Sequence, residues 1–166
     1  MVDIEILQTG GPEWHSQYGR MMRWFKRLKN ISRRRKKVSS ILGEDYIYAF
    51  FKECWHLKDW LADEVDMNIR QDLKEALGSS EAMIICDCLA NGMKHKNIQI
   101  NNKRKTIKSL RVEHRFDIVA DASSKSKSSG QYIWSVVVND KKISATELAT
   151  DCIDFWQAFL TRHKLL

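Results

Sequence analysis

The sequence predicts a mainly α-helical protein, a four- to five-helix bundle with a two- or three-stranded antiparallel β ribbon inserted between the third long helix and the C-terminal helix. Three observations lead there. Apolar residues recur at three- and four-residue steps through most of residues 12–95 and again at the C-terminal end. Between those regions the pattern shifts to alternation at period two. At 166 residues, with 43% hydrophobic and 30% charged side chains, the chain is sized for one core, so 1–166 reads as a single domain with the ribbon at about 106–143.

The first helix starts at "GGPEW", where Pro12 suits a first turn that needs no N–H, and Gly10 and Gly11 break what precedes. Tyr18, Met21, Met22, Phe25 and Leu28 give its apolar stripe. The continuation "SRRRKKVSS" reads as a frayed turn or a basic loop. A second helix is expected from Glu44 or Asp45, with Gly43 as the breaker before it. Its seam is Ile47, Phe50, Cys54, Leu57 and Leu61, and Lys52, His56, Asp59 and Asp63 run along the other side. "MNIRQDLKEALG" makes a shorter helix stopping at Gly78. Ser79 or Ser80 then caps a third long helix from about Glu81 to Lys94, the most buried one expected, through Met83, Ile84, Ile85, Cys86, Leu89 and Met93.

The ribbon follows. "SLRVEHRFDIVA" alternates along Val112, His114, Phe116 and Ile118, and "QYIWSVVVNDKKIS" along Tyr132, Trp134, Val136 and Val138, with a turn at Asn139 and Asp140. "DASSKSKSSG" has no apolar anchor and reads as a surface loop. Ser144 and Glu147 stand at capping-box spacing before a last helix whose face is Leu148, Cys152, Phe155, Trp156 and Phe159.

No run approaches the ~20 apolar residues of a membrane span, and the acidic start "MVDIEILQ" lacks a signal peptide's basic and apolar regions, so a cytoplasmic protein away from membranes is expected. The four cysteines sit in apolar helical contexts that suit reduced, buried thiols. Formal charge is +7, and it is unevenly spread. Every ionisable side chain from Arg20 to Lys37 is basic, and Arg23, Arg27, Arg33, Arg34, Arg35, Lys36 and Lys37 form a candidate nucleic-acid surface, with Trp24 and Phe25 offering stacking area. The same charges would equally serve solubility or meet an acidic partner.

Acid–base chemistry has one candidate place. In "DCLANGMKHK", Asp87, Asn91 and then Lys94 or His95 fall three to four residues apart, on one stripe ending at a helix C-terminus. An imidazole titrating near pH ~6.5 can move a proton, a lysine can hold a phosphate, and Asp87 or Asp59 can orient the histidine. His56 and Asp59 on the neighbouring helix are spaced to touch. Solvent exposure alone also yields polar stripes of this kind. Cys54, His56, Cys86, Cys88 and His95 are zinc-competent types, but Cys86 and Cys88 point about 200° apart on one helix, so neither metal nor other cofactor is expected.

The long basic first helix, the polar-sided second helix and the third helix ending in a stripe with histidine resemble HEPN-like helical bundles, over about residues 12–96 plus the final helix. That superfamily includes toxin and defence ribonucleases and non-catalytic relatives. Its active members carry an arginine and a histidine separated by four to six intervening residues, bring the pair together across a dimer, and cleave RNA without metal. His95 alone carries over onto that motif, since Cys88, Leu89 and Ala90 stand where the arginine falls. The resemblance implies an RNA-binding or RNA-cleaving protein of bacterial defence or toxin–antitoxin type, acting as a homodimer or with a partner protein. In the cleaving version His95 serves as acid or base, Lys94 stabilises phosphate, and Asn91, Asp87, His56 and Asp59 position groups. The alternative is a non-enzymatic interaction module or a subunit of a larger assembly.

Overall fold

The computed structural model describes residues 11–33, 39–92, 107, 109–120 and 128–166. Among them, five helices and one three-stranded sheet follow in the order α1 (Glu13–Arg33), α2 (Ser40–Glu64), α3 (Met67–Ser79), α4 (Glu81–Gly92), β1 (Leu110–Ala120), β2 (Ser128–Val138), β3 (Lys141–Ser144) and α5 (Ala145–Arg162). The expected architecture of helices with a ribbon between α4 and α5 is the observed one.

α1 and α2 form an antiparallel pair. The Trp14 N–H donates to Glu64 Oε1 at 2.8 Å at one end, and the Trp24 and Tyr46 rings meet 5.7 Å apart toward the other. Between them Gln17 Nε2 donates to the Glu53 carbonyl at 2.8 Å and to its carboxylate at 2.9 Å, which settles a buried amide donor against a helix backbone. The stripe Trp14, Tyr18, Met21, Phe25, Leu28 and Ile31 is buried against the seam Ile47, Phe50, Phe51, Cys54, Leu57 and Leu61. Each large apolar side chain fully removed from water there contributes roughly 1.5–3 kcal/mol.

α2 starts earlier than the glycine suggests. Ser39 is the N-cap, its Oγ accepting from Leu42 N at 3.2 Å, and Gly43 lies inside the first turn. The glycine is there because the Trp134 ring of β2 packs directly on the backbone: an ideal Cβ on Gly43 would stand 2.6 Å from Trp134 Cε2. Tertiary packing, not helix termination, explains the residue.

α3 is capped by Asp66, whose Oδ1 accepts from Asn68 N and Ile69 N, and it runs one residue past Gly78 to Ser79. Ser80 then caps α4, with Met83 N donating to its Oγ at 3.3 Å. From Ile85 to Ala90 every residue of α4 is buried, as expected for the most enclosed helix. α5 opens on Ser144, which accepts from Glu147 N at 3.4 Å, and lays Leu148, Cys152, Ile153, Trp156, Phe159 and Leu160 onto α1, α2, α4 and the sheet. Its C-terminal end is tied to α3, where Asp72 Oδ2 receives Arg162 Nη2 at 2.9 Å and faces His163 Nε2 at 2.7 Å.

The sheet order is β1-β2-β3, antiparallel throughout, with Val112 opposite Val136, His114 opposite Trp134 and Phe116 opposite Tyr132. Asn139 and Asp140 form the tight β2–β3 turn with φ of 47° and 66°, as such two-residue hairpins require. β2 begins at Ser128, so part of the polar "DASSKSKSSG" segment is strand; residues 121–127 lie outside the described residues. None of the described helices is long and apolar enough to cross a membrane.

Candidate nucleic-acid interface and interhelical groove

The outer side of α1 carries a run of cations. Arg23, Lys26 and Arg27 are exposed, and among the described residues none of them forms an ion pair. Arg20 differs, pairing with Glu53 at 3.7 Å and lying 6.0 Å from the Trp60 ring. The Arg27 guanidinium sits 4.4 Å over Trp24, and Lys29 Nζ is 5.1 Å from Phe25. Each aromatic neighbour holds a cation over apolar surface without neutralising it, leaving its charge available to an anion. Arg33 is the last residue of α1; Arg34, Arg35, Lys36 and Lys37 lie outside the described residues.

A second surface emerges from the ribbon. On one face of β1–β2, strand pairing packs His114 against Trp134 (5.0 Å between centroids) and Phe116 against Tyr132 (4.9 Å) with tilted rings, and His114 and Tyr132 lie 5.5 Å apart. The ladder grades from core to solvent. Trp134 is 3% exposed and anchored on Gly43, Tyr132 is half-buried, and Phe116 is 39% exposed. β2 also packs on α1, so the aromatic strip and the cationic helix belong to adjoining elements. The period-two pattern places these side chains on one face but does not by itself suggest an aromatic platform; the cue is three rings and an imidazole alternating in facing strands.

The carboxylates expected to serve acid–base chemistry both line a groove of ≈ 1280 Å³ between α2, α3 and α4. Asp59 of α2 and Asp87 of α4 both line it, together with Trp55, Lys58, Arg70 and Lys74. Asp87 is only 9% exposed, and Asn91 Nδ2 donates both to its carboxylate and, at 3.1 Å, to its carbonyl, so these two residues form one unit at the end of α4. Asp59 is exposed and paired with Lys58. His56 is half-buried on α2 and does not line the groove. Lys94 and His95 lie outside the described residues. The structure therefore places Asp59 and Asp87 along one groove, ties Asn91 to Asp87, and leaves His56 off the groove lining.

A thiol cluster is a feature that the sequence pattern does not announce. Cys54 from α2, Cys86 from α4 and Cys152 from α5 place their sulfurs within 4.8 Å of one another in the core. Burial pushes the Cys54 thiol up, but donors from Cys152, Cys86 and Trp156 outweigh it and bring it down to about 5. Burial first, and then the neighbouring thiols, raise Cys86; the contact with Cys54 does most to raise Cys152. The available cue is that each cysteine sits on the apolar face of its helix, and the three faces share one core. Cys88, two residues from Cys86, is buried but outside the cluster.

These features define a helical bundle bearing a cationic helix beside an aromatic ribbon. No protein-family model, curated protein or solved structure matches the chain.

Proposed function

We propose that this protein binds RNA, with α1 holding backbone phosphates and the β1–β2 aromatic strip stacking unpaired bases. The observation that carries the reading is the exposed set Arg23, Lys26 and Arg27, without ion pairs among the described residues, on a helix adjoining the strand that bears Tyr132 and Trp134. Cations supply affinity without sequence preference, and rings supply selectivity for single strands, because every base has a face to stack. The test is binding of a labelled single-stranded RNA across a salt series. Replacing Arg23, Lys26 and Arg27 together by glutamate is expected to weaken binding and to flatten the salt dependence by about 2 in log–log slope, at ~0.7 for each phosphate no longer neutralised. Unchanged binding in that variant, or none at low salt in the parent, overturns the reading.

A second reading, RNA cleavage of the metal-independent HEPN type by a homodimer in bacterial defence or toxin–antitoxin function, is supported by Asp59 and Asp87 lining one groove; Lys94 and His95, which complete the set, lie outside the described residues. In this reading His95 serves as acid or base on the 2′-hydroxyl or the leaving oxygen, and Lys94 stabilises the phosphate. Purified protein is expected to cut mixed RNA in the presence of a chelator, and His95→Ala to stop it. Intact RNA with the parent, or an active His95→Ala protein, leaves binding as the whole function.

A further inference from the structure

We infer that Cys54, Cys86 and Cys152 form a three-coordinate site for a soft, thiophilic d¹⁰ cation, buried at the junction of α2, α4 and α5. Three helices that are distant in sequence each deliver one sulfur to a single point, all three residues are 0% exposed, and the sulfurs already lie within 4.8 Å of one another. A metal–sulfur bond of ~2.3 Å in a trigonal plane needs sulfurs about 4 Å apart, so the widest pair has to close by less than about 1 Å, within the reach of small side-chain rotations. Among the described residues no imidazole or carboxylate joins the cluster, which disfavours zinc's usual fourth ligand and favours ions content with three sulfurs, copper(I) among them.

A second observation points to the same place. The indole Nε1 of Trp156 is fully buried without a hydrogen-bond partner among the described residues, and it lies close enough to Cys54 to favour its thiolate. An unpaired buried N–H beside the cluster is a donor that an electron-rich thiolate can use, as outer partners do in metal sites. Beyond the thiol–thiol contacts, Cys86 and Cys152 reach backbone carbonyls, Phe51 O at 3.4 Å and Ala82 O at 3.7 Å. Both carbonyls belong to helical turns, so releasing the thiol protons strands neither. Charge balances when one thiol proton goes to solvent for a monovalent ion, or two for a divalent one, leaving a neutral centre in the apolar core. The surroundings exclude hard, hydrated ions such as magnesium or calcium, which require several oxygen ligands. The bound ion acts as a clamp: it ties the α1–α2 pair to α4 and α5 from inside and stabilises only the folded chain.

Cadmium(II) is the probe, since its thiolate charge-transfer band in the ultraviolet reports sulfur coordination directly. Reduced full-length protein is refolded without oxygen in the presence of Cd²⁺, so that burial does not block entry, and then desalted. The expected result is one ion retained per chain, the charge-transfer band, and a melting temperature several degrees above that of the metal-free protein. Cys88→Ser keeps the band; Cys54→Ser, Cys86→Ser and Cys152→Ala each abolish it or lower it by about a third. Should the trio variants fail to fold, native mass spectrometry of the parent chain decides alone. A folded parent that retains no ion and shows no band, or a band that disappears with Cys88→Ser and survives loss of the trio, overturns the proposal.

Discussion

Gly43 of α2 lies directly beneath the indole of Trp134 in β2, with no space for even a methyl group between them. This contact joins the ribbon to the first turn of the second helix and anchors the buried end of the aromatic strip. Gly43→Ala improves helix propensity by up to ~1 kcal/mol, yet the overpacking it forces costs about 1–3 kcal/mol. Net destabilisation is expected in urea unfolding. Adding Trp134→Leu to Gly43→Ala is expected to cost less than the two single changes summed, since the smaller side chain relieves the clash. Additive costs would mean that the indole has room to move aside.

The exposed end of the same strip separates RNA contact from stability. Phe116→Ala removes a ring already 39% exposed, so the fold should lose little. If a base stacks there, affinity for single-stranded RNA falls by about 1–3 kcal/mol, roughly 5- to 150-fold, while duplex RNA of equal charge is bound as before. Equal effects on single and double strands would remove the stacking role and leave α1 as the sole contact.

Asp66 offers a clean test of helix initiation. Its carboxylate accepts from Asn68 N at 2.9 Å and Ile69 N at 3.0 Å, satisfying two of the donors that open α3. Asp66→Ala is expected to cost ~1 kcal/mol, and Asp66→Asn much less, because asparagine caps nearly as well. Because α3 walls the groove through Met67, Arg70 and Lys74, fraying of its first turn should also raise hydrogen exchange there.

On the charged face of the ribbon, the hydrogen bond from Arg111 Nε (2.7 Å), and next that from Lys142 Nζ (3.1 Å), hold the Glu113 carboxyl below its usual range. A carboxylate with a depressed folded-state pKa contributes stability above its unfolded value of ~4.3 and loses that contribution as pH falls through the folded value. An NMR titration should find Glu113 ionised below the pH at which a free glutamate protonates, and Arg111→Ala should move its midpoint up. A midpoint at the ordinary value in the parent would show that solvent screens the pair completely.

Much of the helical body is legible in the residue pattern. The seam Ile47, Phe50, Cys54, Leu57 and Leu61 is wholly buried, as its period demands, and the Ser144–Glu147 spacing marks the start of α5. Asn139–Asp140 turns where two short polar residues between alternating strands must. The boundary of α2 departs from expectation because a glycine near a helix start has two physical explanations, chain termination or close approach, and only the neighbour on the other side tells which one holds. Of the acid–base set, Asp87 and Asn91 are linked by helix periodicity alone, whereas the sharing of one groove by Asp59 and Asp87 depends on how α2 and α4 pack.

The residue order thus dictates local features: where helices and strands run, which faces are apolar, and where positive charge accumulates, because each follows from side-chain size and polarity repeated at the period of the backbone. Which of those faces share a neighbour was settled by three-dimensional packing alone. Cys54, Cys86 and Cys152 lie 32 and 66 residues apart along the chain, and Gly43 and Trp134 lie 91 apart. No periodicity links such positions; packing one core at near-crystalline density brings them into contact.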